Sequence, residues 1–201
     1  IIQILDSAKE EGIYFLTMKY VEGQSFYTII QKEKKIPYLR ASNIIIQTAK
    51  GLHAAHSQGL LHRDIKPSNI LIADGDLVKV IDFGLARKKQ DEQLTQQGIV
   101  LGTPGYMSPE QCLDEPLDER TDIYALGATF YEAVTGVGPF TGGSIVRLVA
   151  QLQGDFIEPH LLEKSVPDKI SKIITRMLSK NKENRYSNMI KVIEDLQKSL
   201  F

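Results

Sequence analysis

The run His62-Arg63-Asp64-Ile65-Lys66-Pro67-Ser68-Asn69, followed by Asp82-Phe83-Gly84, constrains this chain more than any other stretch. Between the two, Ile70-Leu71-Ile72 and Leu77-Val78-Lys79-Val80-Ile81 are short apolar, β-branched runs separated by Ala73-Asp74-Gly75-Asp76. Asp-Gly between two such runs is a strong hairpin signal. A hairpin returns the chain to where it started, so the spacing predicts Asp82 near Asn69. One amide oxygen and one carboxylate then converge, a hard-oxygen pair suited to Mg2+. With the Asp64 carboxylate and the Lys66 ammonium alongside, the set suits phosphoryl transfer, where a protein positions reactants and neutralises charge.

Composition narrows the field. The chain has 201 residues, 24 basic against 25 acidic side chains and a formal net charge of −1. That is one domain's worth of chain. Near-neutral charge gives no support for a nucleic-acid partner or an anionic membrane surface. Cys112 is the only cysteine, which rules out an intrachain disulfide framework and fits a reducing, cytoplasmic compartment. The apolar stretches stop short of the ~20 residues a membrane span needs. Anchoring of a longer protein through another segment stays open.

Ile1 to Leu5 and Ile13 to Met18 read as two strands around the polar turn Lys9-Glu10-Glu11-Gly12. Lys19-Tyr20-Val21-Glu22-Gly23 then leaves as an extended connector, and Ser25 to Glu33 reads as a short helix. Ala41 to Ser57 puts Ala41, Ile45, Ala49 and Leu52 on one helical face. Leu85 to Ser108 is a long irregular stretch, of the length that is usually functional or disordered. Ser108-Pro109 is good helix-capping chemistry. Asp122 to Thr135 carries Ile123, Gly127, Phe130 and Val134 at helical spacing, with Gly136 as a stop. Further helices are expected near Ser144–Gln153, Asp168–Leu178 and Asn188–Leu200. Strands first and helices afterwards make the fold class α+β, mainly α. His53, His56 and His62 invite a zinc reading. Without cysteine or a nearby acidic second shell, His62 reads instead as a packed core histidine supporting its loop.

In order and across an Asp-Gly hairpin, the His62–Asn69 run and Asp82-Phe83-Gly84 resemble the eukaryotic-type (Hanks-type) serine/threonine protein kinases. By that resemblance Asp64 would orient the acceptor hydroxyl and take its proton, and Lys66 would neutralise the travelling phosphoryl group. Asn69 and Asp82 would hold Mg2+ (or Mn2+) on ATP, with Phe83 packed beneath. Residues 82–110 would be the activation segment. Arg63 would be its basic pocket, and Thr95 either the phosphorylated residue or an ordinary loop threonine. A phosphate there gains charge-assisted hydrogen bonds of ~1.5–3 kcal/mol each. Thr103 would bridge Asp64 and Lys66. Met18 would guard the back of the adenine pocket, the backbone of Lys19 and Val21 would bond the adenine edge, Leu71 would form the floor and Ser25 would reach the ribose. For Met18 and Leu71, plain core packing is a compatible alternative.

Other motifs extend the resemblance. Ser108-Pro109-Glu110 matches the family's Ala-Pro-Glu with Ser for Ala, and Glu110 would pair with Arg185. Asp122 would accept backbone N–H groups from around His62-Arg63. Tyr124 stands where the family often has Trp. Lys66, two residues after the base, follows the Ser/Thr branch, and Ser68 indicates no preference for basic substrates. Tyr106-Met107-Ser108-Pro109-Glu110-Gln111 looks bacterial.

The resemblance divides the chain into residues 1–19 as the last strands of the small lobe, 20–24 as the hinge, and 25–201 as the large lobe with catalytic loop 62–69. No Gly-rich loop, strand lysine or helix glutamate precedes Ile1. The expectation is therefore an incomplete catalytic domain, inefficient alone, from an enzyme that phosphorylates Ser or Thr of protein substrates. A two-stranded hairpin alone is marginal in water. Residues 1–19 are thus expected to be mobile, or paired with the missing small lobe or a second chain, as in a homodimer. Two other classes stay open. A pseudokinase scaffold has no chemical need for Asp64, Lys66, Asn69 and Asp82. A small-molecule phosphotransferase does not explain the segment ending at Ser108-Pro109-Glu110.

Overall fold

A computed structural model describes residues 1–83, 104–142 and 152–200. Strands β1 (Ile4–Glu10) and β2 (Ile13–Met18) form an antiparallel hairpin. Strand β3 (Gln24–Ser25) leads into helix α1 (Phe26–Glu33), and helix α2 (Tyr38–His56) follows. Strands β4 (Ile70–Ala73) and β5 (Leu77–Val80) join β3 in an antiparallel sheet of order β3-β4-β5. Helices α3 (Pro109–Cys112), α4 (Glu119–Thr135), α5 (Pro159–Leu162), α6 (Asp168–Met177) and α7 (Met189–Ser199) complete the described elements. The class is α+β and mainly helical, as the sequence predicts.

Helix α4 is the centre of the large core. Every residue from Thr121 to Thr135 is buried, the mark of a helix enclosed on all sides. Asp118 caps its start by accepting from Arg120 N, and Gly136 ends it in the left-handed conformation at φ 79°. Helix α6 crosses it closely at Gly127, where an added Cβ would come within 2.7 Å of Met177 Cβ. Gly127→Ala is therefore expected to lower stability by about 1–3 kcal/mol through overpacking. Urea unfolding checks this; an unchanged midpoint would contradict the close approach.

Helix α2 buries Ala41, Ile45, Ala49 and Leu52 completely, the face that periodicity predicts. It begins at Tyr38, a turn earlier than that pattern, directly after Pro37, whose fixed φ suits a helix start. The same helix grips the β4–β5 turn. Arg40 Nε and Nη2 donate to the Asp76 carboxylate at 2.9–3.2 Å, and Gln47 Nε2 donates to Asp76 O at 2.8 Å. The turn itself needs left-handed backbone at Gly75 (φ 69°) and Asp76 (φ 57°), which Gly and Asp tolerate best. Register Ile70↔Val80 to Ala73↔Leu77 follows.

Two expectations are adjusted. The first strand spans Ile4–Glu10 rather than Ile1–Leu5, and the hairpin turn narrows to Glu11-Gly12, both at positive φ. It is also tied down at its start, because Ile2 N donates to Val80 O at 2.9 Å and Lys19 N to Gln3 O at 2.9 Å. Its side chains face solvent, with Ile13, Tyr14 and Phe15 among the exposed apolar residues. The helix expected at Ser144–Gln153 lies largely outside the described residues. Helix α5 has one turn, too short to leave a periodic signal.

Candidate active site

The site is built outward from Asp122, in the first turn of α4 and fully buried. One of its oxygens, Oδ2, accepts from His62 N at 2.8 Å, and the other, Oδ1, accepts from Arg63 N at 2.8 Å. His56 Nε2 lies 2.8 Å from Oδ2 as well. A carboxylate at a helix N-terminus is stabilised there by the macrodipole. Its grip has a purpose, because Arg63 sits at φ 66°, a left-handed conformation costing a non-glycine roughly 1–2 kcal/mol. Hydrogen bonds to an ionised group contribute about 1.5–3 kcal/mol each, enough to outweigh that strain.

His62 carries the geometry to the hairpin. Its ring is buried, with Nε2 2.8 Å from Ile81 O and Nδ1 3.3 Å from Asp64 N. The tautomer with its proton on Nε2 satisfies both, donating to the carbonyl and accepting from the amide. Phe83 packs against the same ring at 4.6 Å between centroids. One imidazole thus ties the backbone of Asp64 to the residue preceding Asp82.

The polar groups gather on this frame. Lys66 Nζ donates to Asp64 Oδ2 at 2.8 Å, and Asn69 Nδ2 donates to Asp64 O at 2.8 Å and to Oδ2 at 3.2 Å. Asn69 O accepts from Ile81 N at 3.0 Å, so the hairpin does bring Asp82 back beside Asn69. Asp82 itself is left-handed at φ 57°. The Asn69 amide nitrogen is committed to Asp64, which leaves its oxygen, reached by Ser68 Oγ at 3.4 Å, as the atom it could offer a cation. Together with the Asp82 carboxylate it would give an all-oxygen donor set, the chemistry that suits Mg2+. Asp82 and Phe83 line an apolar cleft of about 680 Å³ with Met18, Leu16, Ile4 and Leu60.

The remaining expected nucleotide contacts do not line that cleft. Lys19 commits its N–H to Gln3 O, and Leu71 lies on β4 opposite Lys79. Ser25 caps α1, its Oγ accepting from Thr28 N at 3.1 Å. Val21 lies in the connector after β2. Thr95 and Thr103 lie outside the described residues.

Glu110 and Arg185 meet as a buried bidentate pair at 2.7 and 2.9 Å. The guanidinium also donates to the carbonyl oxygens of Ser179, Arg120 and Lys180, so each of its N–H donors is used. Thr121 Oγ1 donates to Glu110 at 3.0 Å. Burial works against the Glu110 carboxylate, but Arg185 outweighs it and holds the carboxyl below its ordinary range. Tyr124 lies under the guanidinium at 4.9 Å, and burial raises its phenol well above the usual range.

Sequence reasoning missed several contacts. His56 has no acidic neighbour in the sequence; the fold supplies one in Asp122, as a hydrogen-bond partner. Gln111 Nε2 donates to Arg63 O at 2.8 Å, and Tyr106 OH donates to Glu132. Neither pair is near in sequence, so no local pattern could have revealed it. Cys112 is partly buried, and burial followed by Glu110 pushes its thiol up to about 11, which makes it a poor nucleophile at neutral pH.

Comparison with known proteins gives the family. The family model described as protein kinase domain matches residues 1–200. A probable serine/threonine-protein kinase of Clostridium perfringens is 38% identical over 199 residues, covering 98% of this chain and 29% of that protein. Serine/threonine-protein kinase PknB of Mycolicibacterium smegmatis is 35% identical over 203 residues, covering 98% of this chain and 32% of its own length. The chain therefore spans less than a third of these relatives. A crystal structure of Rad53 1–466 in complex with AMP-PNP superimposes with a TM-score of 0.82 at 25% identity, covering 97% of this chain and 49% of that one.

Proposed function

This chain belongs to the protein kinase domain family, bacterial serine/threonine branch, and we propose that within a longer protein it transfers the γ-phosphoryl group of ATP to Ser or Thr of protein substrates. The observation that carries the reading is the His62 ring joining Asp64 N to Ile81 O. It holds the base and the metal-side acid, Asp82, on one frame. Asp64 accepts the proton of the attacking hydroxyl, and Lys66 beside it offsets negative charge on the transferred group. Asn69 and Asp82 would hold Mg2+, which when bound neutralises charge developing on the phosphate oxygens. Met18, which lines the cleft, would guard the back of an adenine pocket, while the Lys19 carbonyl and the Val21 backbone, outside that lining, would meet the adenine edge. Leu71 would pack under the base, Arg63 would receive a phosphorylated Thr95, and Thr103 would bridge Asp64 and Lys66. The Ser25 hydroxyl, engaged as a helix cap, is within its own local network when a ribose arrives.

The exposed apolar side chains of the first hairpin support cover by further protein, either the rest of a small lobe or a second chain. Use of ATP supports a cytoplasmic position for this part of the protein. Among the described residues no helix is long and apolar enough to cross a membrane.

The test is transfer of labelled γ-phosphate from ATP to a Ser/Thr-bearing protein by the full-length protein. No Mg2+-dependent transfer would overturn the proposal. Asp82→Asn is expected to weaken Mg-ATP binding at least roughly tenfold, the lower end of what losing even an outer-shell metal partner does. Titrating ATP affinity against Mg2+ checks it, and an unchanged metal dependence would remove Asp82 from the site.

A further inference from the structure

Arg63 is held on both sides. Its N–H goes to Asp122 Oδ1 at 2.8 Å, and its carbonyl oxygen accepts from Gln111 Nε2 at 2.8 Å. The two clamps come from different elements, the first turn of α4 and the end of the short helix α3. The Arg63 carbonyl and the Asp64 N–H belong to one peptide group, which is planar. Holding that oxygen therefore sets the direction of the Asp64 N–H, which points at His62 Nδ1. Gln111 is itself firmly presented. Its Oε1 accepts from Ser108 N at 3.1 Å and its own N–H reaches Ser108 Oγ at 3.3 Å, a reciprocal cap. Its neighbour Glu110 is locked to Arg185.

We infer that Gln111 is a positioning residue for Asp64, its carboxamide linking the seating of Ser108-Pro109-Glu110 to the aim of the base. The inference rests on the phosphoryl-transfer reading above. It ties α3 to the chemistry through the Gln111–Arg63 hydrogen bond, so α3 seated out of place would deprive the Arg63–Asp64 peptide of that support.

The two duties of the carboxamide can be separated. Glutamate at this position still accepts from Ser108 N, because Ser-x-x-Glu is itself a capping box. A carboxylate cannot donate to the Arg63 carbonyl. In the full-length protein, Gln111→Glu is expected to lower kcat roughly five- to tenfold, the worth of about one hydrogen bond. KM for ATP and the thermal midpoint are expected to stay near wild type, and amide exchange across residues 62–66 to accelerate. Wild-type kcat with unchanged exchange would overturn the inference. So would a loss of folded protein that accounts for the whole drop in rate, since that is a structural role only. Failure of the kinase reading looks different: the unmutated protein then transfers no phosphate, while exchange still reports on the Asp64 amide.

Discussion

Asp64→Asn in the full-length protein is expected to lower phosphoryl transfer by about 10²–10⁴-fold, the usual worth of a positioned general base. The substitution is close to isosteric, so the loop keeps its shape. What it removes is the proposed acceptor for the hydroxyl proton and the negative charge facing Lys66 at 2.8 Å. The proposed nucleotide contacts come from other residues, so ATP affinity is expected to stay within about twofold, the pattern of an interaction made in the transition state. The Asp64–Lys66 pair is partly exposed, at 42% and 21%, and such pairs add little to stability. Steady-state kinetics with labelled ATP, beside equilibrium nucleotide binding, checks both halves. A rate within twofold of wild type would remove Asp64 from the chemistry and leave the scaffold reading as the better one.

Glu110→Ala is expected to destabilise the protein by about 3–5 kcal/mol, because it strands the Arg185 charge in the core. The side chains of Arg185 and Glu110 are 0% and 3% exposed, so water cannot substitute. For a chain of this size the loss corresponds to roughly 6–20 °C in melting temperature. A shift under 2 °C would mean that the pair is not buried as described.

The same pair sets an acid limit. Burial disfavours the Glu110 carboxylate, yet Arg185 leaves its folded value below the ordinary 4.5. Asp118, opposed by burial but held down by Arg120 and Lys182, falls to about 2. A depressed carboxylate stabilises the fold above its unfolded pKa and loses that contribution as pH falls through the folded one. Stability is thus expected to be flat from about pH 5 to neutrality and to fall between about pH 5 and about pH 2. Glu110→Gln is expected to flatten part of that slope in melts run across the range.

How much of this could be read beforehand differs by kind of contact. The hairpin at residues 70–80 was legible because β-branched runs around Asp-Gly obey a local rule, and the buried face of α2 was legible because 3.6-residue spacing is local too. The Asp122 clamp and the Glu110–Arg185 pair were reached through family resemblance; their partners lie 60 and 75 residues apart, beyond any spacing rule. The turn of the first hairpin is tighter than Lys9-Glu10-Glu11-Gly12 because Glu11, like Gly12, adopts positive φ, which composition does not foretell.

Local chemistry was thus enough to specify that a carboxylate, an ammonium and an amide beside a second carboxylate would be drawn together, since each needs only its neighbours and one tight turn. The path of Arg63 through a left-handed conformation, the support His56 gives Asp122 and the grip of Gln111 on the Arg63 carbonyl belonged to the packed molecule. A strained backbone is stable only when groups from distant segments are already in place to satisfy its polar atoms, and their arrival depends on the whole core closing around α4.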